Sequence, residues 1–248
     1  MFENFKGALR TILPSWLRSL LFHLSVRYTG ISHQKMRRMF EYDHTLLPNR
    51  YLAELEARSN NLVETVKNTG LSMGYPSWNL LYYMLLCSLS PKKREVIIVE
   101  TGTNQGFSTI VLAQALKDAG VQGIVHTVDI DERMVERAKE NLAKAGLSQY
   151  VKFNVQDSLQ YLKQLVSEVE YIDFAFLDSS HNYDHVRKEF KIVYHRVVAC
   201  NGKVYFDNTT SGGVAKAIRY IHENHGGNMI EFANCSWSPP GNVIWQPE

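Results

Sequence analysis

Cysteine is scarce in this chain. Cys87, Cys200 and Cys235 stand far apart and are odd in number, so they offer neither a disulfide framework nor a zinc-type spacing. Such usage suits a reducing compartment, and the expected localisation is cytoplasmic. Long apolar runs are missing too, and none reaches the length of a membrane span. Charge of one sign is not in excess: 27 Lys and Arg face 25 Asp and Glu, a formal net charge of +2. That balance lacks the electrostatic footprint of a nucleic-acid binder. The leucine-rich stretch 9–26 is interrupted by Pro14 and Arg18 and is followed by no small-residue cleavage pattern, so no secretory signal is expected. There is no internal repeat and no low-complexity tract. What remains is a chain of 248 residues, 45% hydrophobic, long enough for one α/β domain with an extension.

Residues 1–50 carry eight basic side chains against three acidic ones. Trp16, Leu17, Leu20, Leu21 and Leu24 line one helical face. Two readings stand side by side. The helix packs on the domain or on a second subunit of a homo-oligomer, as any docked amphipathic helix does. Alternatively it rests peripherally on the anionic inner surface of a membrane. Residues 1–70 show no strand signal and are expected to form a helical cap, with residues 71–248 as the main domain.

From residue 91 onward two periodicities alternate. Strands are expected at Val96–Glu100, Ile124–Ile130, Val151–Asp157, Tyr171–Asp178 and Lys203–Asp207. Helices are expected at Phe107–Ala119, Asp131–Ala145, Ser158–Val166, Tyr183–Val198 and Gly213–Asn224. Two further strands, Met229–Ala233 and Asn242–Gln246, flank the turn Ser238-Pro239-Pro240-Gly241 without a helix between them. Alternating β and α elements imply right-handed crossovers and a parallel sheet covered on both faces. The fold class is therefore α/β: a Rossmann-like, doubly wound, seven-stranded sheet ending in an antiparallel hairpin, with an N-terminal helical extension.

The richest stretch is Val96-Ile97-Ile98-Val99-Glu100-Thr101-Gly102-Thr103-Asn104-Gln105-Gly106-Phe107-Ser108. An apolar strand ends at an acid, and a loop with two glycines leads straight into a helix. The glycines permit a tight turn and close approach of backbone to a ligand. At the carboxyl end of a first strand this is a nucleotide-type cofactor loop. Its spacing, E-x-G-x-x-x-G, is neither the dinucleotide G-x-G-x-x-G nor a phosphate loop. It resembles motif I of the class I S-adenosylmethionine (SAM) methyltransferases. The resemblance implies that Glu100, Gly102, Thr103, Asn104, Gly106 and Ser108 serve the methionine half of SAM. Asp129, closing the second strand, would accept both ribose hydroxyls. Asp157 would meet the adenine amino group, and Ser158 counts with it among the cofactor-binding residues. Asp131, Asp157 and Ser158 have a second reading as helix N-caps.

The fourth and fifth strands run into Asp178 and into Asp207-Asn208. Oxygen ligands from neighbouring strand tips suit a hard divalent cation such as Mg2+. Asp178 with Asp207-Asn208 is similar to the metal triad of the cation-dependent O-methyltransferases, the catechol and caffeoyl-CoA type, and so is the run Asp-Asn-Thr-x-x-Gly-Gly. Leu177-Asp178-x-x-His181-x-Tyr183 resembles the family-24 methyltransferases. Asp178 counts both as a metal ligand and as part of the cofactor pocket. Where the catechol-type enzymes carry Lys, this chain has His181, whose imidazole is the expected catalytic base. His185 is expected to be a solvated first-turn residue turned outward. A transition-metal site from Asp178, His181 and His185 is the alternative.

The expected activity is metal-dependent transfer of the SAM methyl group to a hydroxyl of a sugar, glycoside or other small molecule. Alternatives are a SAM-binding hydroxylase-like enzyme and a non-catalytic SAM-binding subunit. A dehydrogenase is disfavoured by the glycine spacing. The acceptor is the expected partner, and nucleic acid is not. Tyr75, Trp78 and Trp237 are candidates for stacking on the acceptor, with core packing as the other reading, and Trp245 is expected in the core.

Overall fold

A computed structural model describes residues 47–58, 77–89, 94–209, 211–231 and 241–248. The expected helix over 9–26, Tyr75, Cys235, Trp237 and the turn residues 238–240 lie outside the described residues. The elements, in order, are α1 (Arg50–Arg58), α2 (Ser77–Ser88), β1 (Val96–Thr101), α3 (Phe107–Asp118), β2 (Gly123–Asp129), α4 (Glu132–Lys144), β3 (Val151–Val155), α5 (Ser158–Glu168), β4 (Phe174–Leu177), α6 (Tyr183–Val198), β5 (Lys203–Phe206), α7 (Gly212–His225), β6 (Asn228–Glu231) and β7 (Val243–Gln246). A short 3-10 turn, Ser148–Tyr150, leads into β3.

The strands form one sheet in the order β3-β2-β1-β4-β5-β7-β6. The first five pair in parallel, and β7 runs antiparallel to both its neighbours. The chain winds outward through β2 and β3, then crosses back to place β4 beside β1. Beyond the carboxyl ends of those two strands lies the topological switch point, where open α/β sheets bind ligands.

Alternation along each strand divides the core in two. Val96 and Ile98 of β1 join Phe174, Phe176, Tyr205 and Ile244 under α1, α2 and α3. Ile97 and Val99 join Ala175, Leu177, Val204, Phe206 and Trp245 under α5, α6 and α7. All six β1 side chains are buried, as in a central parallel strand covered on both faces. Each such Val or Ile contributes about 1.5–3 kcal/mol of burial. Leu47 and Leu52 pack into the first cluster beside Trp78 and Leu81. Trp78 is thus a core residue, 2% exposed, and does not present its ring to an acceptor. Trp245 is buried as expected.

Most element bounds agree with the sequence reading to within two residues. The exception is the fourth strand, expected over Tyr171–Asp178 and observed as Phe174–Leu177. Asp173 breaks its start. This carboxylate accepts two bonds from the Arg94 guanidinium at 2.8 Å and one from the Ile97 N–H. Arg94 also lies over the Tyr171 ring, 3.4 Å from its centroid. The chain is fastened to β1 here by these side chains together with the Asp173 N–H, which donates to the Ile97 carbonyl at 2.9 Å.

Candidate active site

Pairing register builds the site from below. Glu100 of β1 stands opposite Thr127 of β2, and the Thr127 hydroxyl donates to its carboxylate at 2.7 Å. From the first turn of α3, Ser108 and Thr109 donate at 2.6 and 2.5 Å. Glu100 therefore has no exposed surface. Burial pushes its pKa up to about 7, against the three hydroxyl bonds. Glu100, expected to face the methionine half of a cofactor, lies enclosed beneath the loop, while Ser108, which joins it to the start of α3, stays partly exposed. Thr103, 1% exposed, is likewise turned to the Thr127 hydroxyl.

Above this cluster the loop bends at Gly102, with φ +92°. An added Cβ would lie 2.7 Å from the Asp178 carbonyl oxygen. The absent side chain lets the β1 and β4 tips touch, and the Asp178 N–H reaches the Thr101 carbonyl at 3.1 Å. Asn104 adopts a positive φ of 45°, and its N–H donates to Asp129 Oδ2 at 2.8 Å. Asp129 Oδ1 accepts from the Asp131 N–H. Each oxygen keeps a further lone pair for a ligand.

The cleft that opens here is lined by Gly102, Val128, Asp129, Ile130, Gln156, Asp157, Ser158, Ser179, Ser180 and His185. Four strand tips thus contribute, as the sequence pattern implied. Asp157 takes both of its anticipated positions: it lines the cleft and also caps α5 through the Gln160 N–H. Asp131 is an N-cap only, bonded to Arg133. Ile130 was not foreseen. It is 75% exposed, a large apolar side chain held out beside the cleft, which suits the face of a planar ring.

His185 was expected to turn outward and does not. Its Nε2 lies 2.9 Å from Ser158 Oγ, 3.1 Å from Ser179 Oγ and 3.4 Å from Glu189 Oε1. Asn182 sets this orientation by capping α6 through the N–H groups of Asp184 and His185. A signal for it exists in the sequence. Glu189 interrupts the apolar stripe Val186, Phe190, Val193 and Val197, and an acid on such a face implies a partner one turn away.

Asp178 and Asp207 follow paired strands. Asn208, at a left-handed φ of 56°, donates from Nδ2 to Asp178 Oδ1 at 3.1 Å. Asparagine tolerates that backbone better than most residues. His181 Nε2 lies 3.6 Å from the same Oδ1. Gly213 leaves no room for a Cβ against the His181 carbonyl, so the loops after β4 and β5 close on each other. Asp207 is 6% exposed and accepts from Asn242 Nδ2 at 2.5 Å. Asn242 Oδ1 in turn accepts from Ser77 Oγ at 3.0 Å.

Burial first, and then the neighbouring Asp178 carboxylate, push the pKa of Asp207 up to about 8. The Asn208 N–H, His181 and the Asn242 amide act the other way. Two mutually repelling carboxylates with an amide beside them are donor chemistry for a hard cation, so the residues present fit one. Ligation by Asn208 through Oδ1 requires its amide to turn over. Among the described residues, no group of three or more His, Cys, Asp or Glu side chains is disposed to hold a metal ion. The alternative of a transition-metal site from Asp178, His181 and His185 falls with this, since His185 turns to Ser158, Ser179 and Glu189 instead.

Comparison with known proteins agrees with this geometry. Residues 99–209 match the family model of a methyltransferase domain, Methyltransf_24. The chain is 26% identical over 201 residues to a caffeoyl-CoA O-methyltransferase of Stellaria longipes, covering 77% of this chain and 76% of that protein. It is 30% identical over 128 residues to a catechol O-methyltransferase of Mycobacterium tuberculosis, covering 52% and 54%. Its fold superposes on an O-methyltransferase from Bacillus cereus in complex with SAH at a TM-score of 0.61, with 18% identity, covering 90% of this chain and 100% of that one.

Proposed function

We propose that the chain is a SAM-dependent O-methyltransferase that carries the SAM methyl group to a hydroxyl of a sugar, glycoside or other small molecule with the help of a divalent cation. The observation that carries this reading is the pair Asp178 and Asp207 at adjacent strand tips, one of them buried and reluctant to ionise. Two such groups beside a nucleoside cleft are costly to keep unless they serve chemistry.

Asp129 receives the ribose hydroxyls and Asp157 the adenine amino group. Main chain around Gly102 to Gly106 lies along the amino-acid half of the cofactor. The carboxylates Asp129 and Asp157 on the cleft, with Asp178 at the next strand tip, suit the positive charge of a sulfonium. Asp178, Asp207 and Asn208 would hold the cation, which when bound supplies Lewis-acid lowering of the acceptor's pKa. His181, on the outer side of Asp178, takes the acceptor's proton on its Nε2. The rest of the work is alignment. Holding acceptor oxygen, methyl carbon and sulfur in line turns a two-body reaction into one within a complex.

The test is a methyl-transfer screen with labelled SAM and Mg2+ over glycans, glycosides and catechols, repeated in EDTA and with Asp207→Ala. Turnover is expected to vanish in both, with SAM affinity changed by no more than about threefold. Full activity in EDTA removes the cation from the reaction. Label recovered on nitrogen or carbon removes the O-transfer assignment.

A further inference from the structure

On α6 an acid lies inside an apolar stripe. Val186, Phe190, Val193 and Val197 enter the core, and Glu189 lies among them with no exposed surface. Its Oε1 accepts from Ser179 Oγ at 2.7 Å, while its Oε2 is buried without a partner. His185 Nε2 faces Oε1 and two hydroxyls, Ser158 and Ser179. Ser158, Ser179 and His185 all border the cleft. A hydrophobic residue at position 189 would continue the stripe at lower cost, so the carboxylate calls for an explanation.

A serine, a histidine and an acid suggest a nucleophile, and the geometry excludes one. A relay needs the acid on one ring nitrogen and the hydroxyl on the other. Here both face Nε2, and the Ser179 hydrogen is already committed to Glu189.

Counting hydrogens gives another role. A serine hydroxyl has one hydrogen to donate. Ser179 gives its hydrogen to Glu189, so the hydrogen between Ser179 and His185 comes from Nε2–H. That N–H also faces Ser158 Oγ at 2.9 Å, which therefore accepts. The Ser158 hydrogen is then left over, since Ser179 Oγ at 3.4 Å is a distant taker. We propose that His185, held by Glu189, is a positioning residue that presents Ser158 as a hydrogen-bond donor to the nucleoside end of the cofactor. This rests on the SAM reading above and adds which group reads the nucleoside and what fixes its polarity. The hydrogen bond with Glu189 raises the pKa of His185, against the opposing effect of burial. Asp157 adds to the rise and Lys188 opposes it. The N–H on which the count depends is thereby favoured.

Calorimetric titration of the full chain with S-adenosylhomocysteine tests the proposal on Ser158→Ala, His185→Leu, the double variant and His185→Gln. Each of the first two is expected to weaken binding about five- to tenfold, the worth of one hydrogen bond. The double variant should bind no more weakly than either single one, because both changes remove the same bond. His185→Gln, whose amide can supply an N–H, should recover most of the affinity. In turnover assays the loss should fall on KM for SAM rather than on kcat. Additive losses in the double variant, or wild-type affinity in His185→Leu, overturn the assignment and leave the SAM reading standing. A wild-type chain that binds no S-adenosylhomocysteine overturns both. Circular dichroism melts accompany each variant, and Ser158→Ala with His185→Gln decides the matter should His185→Leu fail to fold.

Discussion

At Gly102 a single methyl group is enough to disturb two strand tips. Its φ of +92° disfavours any side chain, and the Asp178 carbonyl occupies the place where a Cβ would go. Gly102→Ala is therefore expected to lose about 2 kcal/mol or more of stability. S-adenosylhomocysteine affinity should fall with it, because the Asp178 loop must move. Urea unfolding and calorimetric titration measure the two, and an unchanged unfolding midpoint would contradict the close approach. Single residues were legible in the sequence wherever the fold forces an acid to a strand tip, as at Asp129, Asp157, Asp178 and Asp207. They were not legible where helix phase decides. His185 turns inward because Asn182 starts α6 one residue before Tyr183, and a one-residue shift of that cap would have turned it to solvent. Asn242 and Ser77 were also missed, since a contact between positions 165 apart leaves no local pattern.

At the level of elements, β1 and β4 meet twice, at opposite ends. Their carboxyl ends meet at Gly102 and Asp178, and their amino ends are joined through Asp173 and Arg94. The second junction explains why the fourth strand is shorter than its apolar run. Asp173 spends its side-chain oxygens on a guanidinium and the Ile97 N–H, so upstream of the bond from the Asp173 N–H to the Ile97 carbonyl that β1 donor is closed to further backbone pairing. Asp173→Asn keeps one acceptor and loses the two-pronged ionic contact. A loss of about 1–3 kcal/mol in denaturant unfolding is expected, with SAM affinity unchanged. If affinity falls in step with stability, the two ends of the strand pair are not independent. The helices needed less correction. Their apolar stripes and caps are local, and the predicted span Tyr183–Val198 coincides with α6.

For the molecule as a whole, stability should depend on acid through His126. This residue is 6% exposed, with Nδ1 2.9 Å from the Tyr161 hydroxyl. Burial first, and Lys152 second, lower its pKa to about 4. Between the unfolded value of about 6.5 and 4, the unfolded chain binds a proton that the folded chain refuses. The contribution of His126 is therefore full above pH 6.5 and is lost as pH drops toward 4, by at most on the order of 3 kcal/mol, while Glu100 and Asp207, with raised pKa values, act in the opposite direction and are common to wild type and variant. Unfolding curves of wild type and His126→Gln across that window should converge toward acid, and parallel curves would mean that His126 ionises freely when folded. The overall topology was the most legible level of all. Alternating periods of two and 3.6, and a last pair of strands with no helix between them, leave few arrangements open once crossovers must be right-handed.

The hydrogen-bond line from Ser77 through Asn242 to Asp207 has a practical corollary for anyone re-engineering the chain. It ties the helix before the sheet, and the approach to the final strand, to one acid at the tip of β5. Tags, truncations or circular permutations that cut near either outer anchor will be felt at that acid, however far away they look on a linear map.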